Sequence, residues 1–142
     1  MAIQTRLIEY DCDGTLLEGY LAWDDSTGPA PAVAVSHTWA GRGTFEEGKA
    51  RALAEQGYTG FAIDMYGKGV LGTTVEENTA LMTPLVEDRS LLQRRINRAV
   101  EVLREQPEVD ASRVAAMGFC FGGLCVLDLA RSGADVKGVV SF

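Results

Sequence analysis

No apolar run in this 142-residue chain reaches the roughly 18–20 residues that a helical bilayer span requires. The N-terminus, Met1-Ala2-Ile3-Gln4-Thr5-Arg6, lacks the basic head and apolar stretch of a secretory signal, so a cytoplasmic location is expected. Basic charge is in deficit as well. Thirteen Lys and Arg stand against 20 Asp and Glu, for a formal net charge of −7. Phosphate backbones and anionic lipids are bound through basic patches, so neither nucleic acid nor a membrane is an expected partner. The longest basic cluster, Arg94-Arg95 with Arg98, sits among apolar residues at helical spacing and reads as a solvated helix face. Cysteine occurs three times, an odd count with no CxxC spacing. That removes a disulfide framework and a zinc site, and it suits a reducing compartment. Internal repeats and low-complexity segments are missing too.

What remains is the material of one globular domain: 46% hydrophobic residues in a chain long enough to bury a core. Residues 5–25 alternate about Asp13-Gly14, the pattern of a β-hairpin. The rhythm then changes. Ala32–Ser36 is a short continuous apolar run of the kind a buried parallel strand uses. Thr44 with Glu47 three residues later reads as a capping box opening a helix that stops at Gly57. Residues 60–64 form the next strand. Leu92, Ile96, Ala99, Val100 and Leu103 recur at helical spacing until Pro107. Residues 113–117 read as a strand, 121–131 as a helix and 136–142 as a final strand. Residues 67–89, rich in Gly and Thr, read as an irregular excursion with a short helix. A hairpin followed by alternating strands and helices predicts an α/β fold with a mostly parallel sheet. The chain ends at Phe142 inside an apolar strand, where natural domains seldom stop, and so it looks cut.

The most specific motif is Gly118-Phe119-Cys120-Phe121-Gly122-Gly123 between a strand and a helix. A nucleophile elbow needs a sharp strand-to-helix turn with the nucleophile at its apex and nearly side-chain-free neighbours at −2 and +2. Gly118 and Gly122 hold those places and Gly123 adds room. A sulfur at a helix N-terminus meets free N–H groups and the positive end of the macrodipole, both of which favour a thiolate. Cys125, one turn further on, lacks this context and reads as core.

With its Asp110-Ala-Ser-Arg-Val lead-in, this elbow resembles the dienelactone hydrolase family of α/β-hydrolases. So do Ser36-His37-Thr38-Trp39-Ala40-Gly41 after a strand, and the stretch from Glu55 to Gly69. The likeness runs along essentially the whole chain. It implies a single, partial α/β-hydrolase domain over residues 1–142 and hydrolysis of an enol-lactone or related carboxylic ester, with no metal and no cofactor. Cys120 would attack the carbonyl, and the backbone N–H groups of Trp39 and Phe121 would hold the oxyanion. The family's acid and histidine follow the nucleophile in chain order, which puts them after Phe142. Many relatives carry a glutamate where Thr38 stands, and a family arginine near Arg89 helps to bind the substrate carboxylate. Thr38, His37 and Arg89 are therefore carried as candidate substrate-side residues. His37, the only histidine, is either an alternative base or a residue that orders its loop.

Two other readings stand beside this one. Asp11-Cys12-Asp13-Gly14-Thr15 matches the signature of haloacid-dehalogenase-type phosphatases, in which Asp11 and Asp13 would be nucleophile and acid/base. The interrupted run Arg6-Leu7-Ile8-Glu9-Tyr10 favours a hairpin turn instead. Alternatively the chain is non-catalytic alone and covers an exposed sheet edge by homo-oligomerisation or with a complementing fragment.

Overall fold

The computed structural model describes residues 2–142. The alternating N-terminal segment pairs β1 (Ile3–Cys12) antiparallel with β2 (Thr15–Asp24) in unbroken register, from Ile3 opposite Asp24 to Cys12 opposite Thr15. Asp13 and Gly14 take φ of 52° and 86°, the left-handed pair that a two-residue turn needs to match strand twist. The arginines of the basic cluster do more than meet solvent. Arg94 pairs with Asp13 at 2.8 Å, Arg98 donates to the Asp11 carbonyl at 3.0 Å, and Arg95 reaches the Met65 carbonyl at 2.8 Å.

Beyond the hairpin come β3 (Ala30–Ser36), α1 (Thr44–Glu55), β4 (Thr59–Ala62), α2 (Val75–Glu87), α3 (Arg89–Arg104), β5 (Val109–Gly118), α4 (Phe121–Arg131) and β6 (Val139–Ser141). The six strands lie in the order β1-β2-β4-β3-β5-β6. β3 runs parallel to β4 and to β5, and β5 runs parallel to β6, while β2 meets β4 antiparallel. The α/β reading and the leading hairpin therefore hold. Helices cover both faces. On one, Ala50 and Ala54 of α1 press onto Ala22 and Ala62, small residues that let helix and sheet approach closely. On the other, α3 and α4 bury Leu92, Ile96, Leu103, Val126 and Leu129 against Leu17, Leu21 and Phe61.

Two local expectations need correction. The α1 N-cap sits one residue earlier than Thr44, and only the returning half of a capping box forms, from Glu46 rather than Glu47. Gly43 is the N-cap and its N–H donates to the Glu46 carboxylate at 2.9 Å, because Glu46 turns inward while Glu47 faces Arg42. The excursion after Gly67 contains a regular 13-residue helix, α2, rather than a short one. Thr74 caps it by accepting from Glu77 N–H at 3.1 Å, and Glu77 reaches back to Thr73 N–H at 2.9 Å. Pro84 inside α2 weakened the sequence pattern without stopping the helix.

Candidate active site

β5 ends at Gly118 and α4 begins at Phe121, so two residues make the whole turn. Cys120, its apex, has φ 58° and ψ −116°, a conformation L-residues avoid and which costs on the order of 1–3 kcal/mol. Its side chain is exposed. The turn closes because the residues two places before and after Cys120 have no side chains. A Cβ on Gly118 would lie 2.0 Å from the Gly122 carbonyl oxygen, and one on Gly122 would lie 2.2 Å from the oxygen of Ser36 and 2.6 Å from that of His37. A Cβ on Gly123 would meet the Ser141 hydroxyl at 2.2 Å. Backbone bonds complete the bend: Phe119 N–H donates to Ser36 O at 3.2 Å and Cys120 N–H to Phe142 O at 2.8 Å. Cys125, by contrast, is fully buried, and burial pushes its thiol up to about 12.

The loop after β3 packs against this elbow through Gly122. Thr38 folds it: the Thr38 hydroxyl accepts from Ala40 N–H at 3.3 Å and the Thr38 carbonyl from Gly41 N–H at 3.2 Å. Tyr66, from the loop after β4, donates its hydroxyl to the Trp39 carbonyl at 2.8 Å and stacks on Phe121 with centroids 5.8 Å apart. Asp64 fixes that second loop, accepting from the N–H groups of Tyr66 and Gly67 at 2.9 and 3.0 Å and from Glu18 of β2 at 3.0 Å. Among the described residues, neither Trp39 N–H nor Phe121 N–H donates a hydrogen bond. Two unspent backbone donors therefore belong to the two segments joined at Gly122, one beside the sulfur and one on the facing loop.

The solved structures most like this chain include m3DLH, 39% identical with a TM-score of 0.96, of which the chain covers 60%. Another is a dienelactone hydrolase-like promiscuous phosphotriesterase from metagenomic libraries, 36% identical at a TM-score of 0.95 and 59% covered; both comparisons span all of this chain. A protein of Aquifex aeolicus, provisionally named carboxymethylenebutenolidase, is 31% identical over 83% of this chain. The chain spans 52% of that relative's length. The model of the dienelactone hydrolase family matches residues 17–142. This chain belongs to the dienelactone hydrolase family.

Family membership gives the sequence expectations a frame, and the geometry sorts them. Cys120, Phe121 and the elbow glycines come together with the Ser36–Gly41 segment that carries Trp39. Thr38 shapes its own loop. His37 is fully buried and both ring nitrogens are engaged, Nδ1 with Thr38 O at 2.6 Å and Nε2 with Met65 N–H at 3.0 Å. It therefore orders the loop, and no ring nitrogen is left over for a substrate or for the Cys120 thiol. Arg89 departs from expectation too. Its Nε and Nη2 grip the buried Asp128 carboxylate at 2.6 and 2.9 Å, tying the start of α3 to α4. The phosphatase reading gains no support, since Asp11 lies near the end of β1, Asp13 lies in the antiparallel hairpin turn itself, and Asp11 accepts from Gly14 N–H at 3.2 Å. Sequence reasoning missed Glu46, Asp64 and Tyr66 as organisers of the site. Their signal was position alone, each lying in a loop or first turn that follows a buried strand. Among the described residues, no helix is long and apolar enough to cross a membrane.

Proposed function

We propose that this chain supplies the nucleophile and oxyanion-binding part of a hydrolase acting on lactones or carboxylic esters. The observation that carries the reading is the exposed Cys120, held at positive φ at the mouth of α4 between glycines that admit no side chain. Its thiolate adds to the ester carbonyl, the carbonyl oxygen takes the negative charge, and the N–H groups of Phe121 and Trp39 stabilise it. Collapse of the tetrahedral adduct breaks the C–O bond and leaves an acyl-Cys120 thioester; the departing alkoxide, tethered to the acyl group when the substrate is a lactone, takes a proton from water. Hydrolysis of that thioester needs an activated water, the task of the family's histidine and acid. The lactone class is favoured by relatives whose names specify lactone substrates, among them a Bradyrhizobium protein carrying a 2-oxo-3-(5-oxofuran-2-ylidene)propanoate lactonase name, 30% identical over 138 residues.

The β6 edge and a neighbouring groove of about 490 Å³, lined by Val33, Leu53, Tyr58, Met117 and Val139, take the C-terminal portion of the family's fold in this proposal. Continuity supports this: the groove borders β6, and the chain spans 60% of m3DLH.

p-Nitrophenyl acetate tests the chemistry. The 142 residues by themselves should release a burst of about one nitrophenolate per chain, and Cys120→Ala should abolish the burst. No burst, or one that survives Cys120→Ala, overturns the reading. Adding a polypeptide that spans the C-terminal portion of m3DLH should convert the burst to turnover. A stable dimer of this chain alone, indifferent to that polypeptide, would identify a second copy as the occupant. Paraoxon belongs in the same assay because of the phosphotriesterase relative.

A further inference from the structure

We infer that His37 is a positioning residue for the oxyanion hole, holding the Thr38–Trp39 peptide plane so that Trp39 N–H faces the nucleophile. The inference rests on the ester-hydrolase reading for its catalytic meaning, but its structural content stands separately. His37 Nε2 lies 3.0 Å from Met65 N–H, and an N–H can only donate, so Nε2 carries no proton. The neutral ring must then bear its proton on Nδ1, which donates to the Thr38 carbonyl at 2.6 Å. That carbonyl and Trp39 N–H are the two ends of one planar amide. Gripping the oxygen fixes the direction of the hydrogen at the other end. Drawing electron density toward the oxygen also makes that N–H a stronger donor.

The surroundings support the assignment. Gly41 N–H donates to the same oxygen at 3.2 Å, which fills its second lone pair. Tyr66, whose ring centroid lies 4.8 Å from that of His37, donates to the next carbonyl along, that of Trp39, at 2.8 Å. The same Tyr66 ring stacks on Phe121, which carries the other donor, so one aromatic cluster touches both halves of the hole. Burial of the ring disfavours the imidazolium, which would need a second acceptor where Met65 N–H now sits. Met65 follows β4 and His37 follows β3, so the ring also spaces two strand ends.

Substitutions that separate the two nitrogens test this. Gln at position 37 offers an acceptor toward Met65 but no donor near Nδ1, whereas Asn offers a side-chain N–H toward the Thr38 carbonyl. His37→Gln should slow the p-nitrophenyl acetate burst by about 100-fold, the scale of losing one oxyanion donor. Alkylation of Cys120 by iodoacetamide, which develops no oxyanion, should keep its rate. His37→Asn should restore most of the burst rate. A burst that is unchanged in His37→Gln, or that falls in step with alkylation, overturns the inference. Nitrogen NMR of the unsubstituted chain supplies a readout independent of activity and of variant folding. The His37 ring should be protonated at Nδ1 only, and a ring protonated at Nε2 overturns the inference. In folded variants the Trp39 amide nitrogen should shift in His37→Gln and return in His37→Asn. If the unsubstituted chain shows no burst, the ester-hydrolase reading fails and the nitrogen spectra alone decide the role of His37.

Discussion

Replacing Gly122 with alanine adds one methyl group at the tightest point of the site, and the structure sets the scale of the damage. The new Cβ would lie 2.2 Å from Ser36 O and 2.6 Å from His37 O, whereas ordinary contact begins at 3.4 Å. Both obstacles are backbone carbonyls at the end of β3, so no side chain can swing aside. The start of α4 must back away by about 1 Å, carrying Phe121 N–H with it. Overpacking of this kind costs about 1–3 kcal/mol, partly offset by the better helix propensity of alanine. A displacement of about 1 Å at reacting groups costs on the order of 10² in rate. We therefore expect a loss of about 2 kcal/mol in urea unfolding and an ester burst slowed by about 100-fold. Gly48→Ala is the matched control. Gly48 is an exposed interior residue of α1, and a Cβ there meets nothing within 4 Å. The same chemical change at that position should raise stability by about 0.5–1 kcal/mol and leave the burst untouched. A Gly122→Ala chain that unfolds at or above the urea midpoint of the unsubstituted protein would refute the contact argument.

Other outcomes follow from the same geometry. Cys120→Gly should abolish the burst yet raise the unfolding free energy by about 1 kcal/mol, by relieving the positive φ; a loss of stability would contradict stored strain. His37 titrates below its ordinary 6.5 because burial disfavours the imidazolium, against the pull of Thr38 O, Asp64 and Glu46 and with Arg42 opposing protonation. Unfolding then takes up a proton, so this contribution is full above pH 6.5 and is lost as pH falls toward the folded value. Urea midpoints should drop between about pH 7 and about pH 5, and His37→Asn should flatten that slope. Asp110, pulled to about 2 by Ser112 and Arg113, titrates below this window. Asp128→Asn should cost about 2 kcal/mol in urea unfolding, since the buried carboxylate accepts from Arg89 and Arg131. An unchanged midpoint would mean those pairs contribute nothing.

Much of this arrangement is legible in the sequence. Asp13-Gly14 announced the hairpin because few residue pairs accept two consecutive left-handed conformations. The bend at Cys120 was legible because its geometry is written in adjacent residues, each glycine marking a close contact. The role of His37 was not, since it depends on Met65, a residue 28 positions away that only the β3–β4 pairing brings near. Arg89 misled for the same reason. Its partner Asp128 lies 39 positions on, across the α3–α4 interface. The true start of α1 was hidden because two adjacent glutamates, Glu46 and Glu47, could each complete a cap, and only the packing of the loop chose between them.

The hydrogen bonds around Cys120 bear on transplantation. Cys120 N–H is held by Phe142 O, and Phe142 N–H by Gly118 O at 2.9 Å, while the Phe119 ring stacks on that of Phe142 at 5.0 Å. The bend is therefore a three-strand object, braced by β3 on one flank and β6 on the other. A designer who grafts the six residues from Gly118 to Gly123 onto a foreign strand–helix junction would import the letters without the scaffolding. The graft would keep its reactive shape only in a host sheet offering a parallel neighbour on each side.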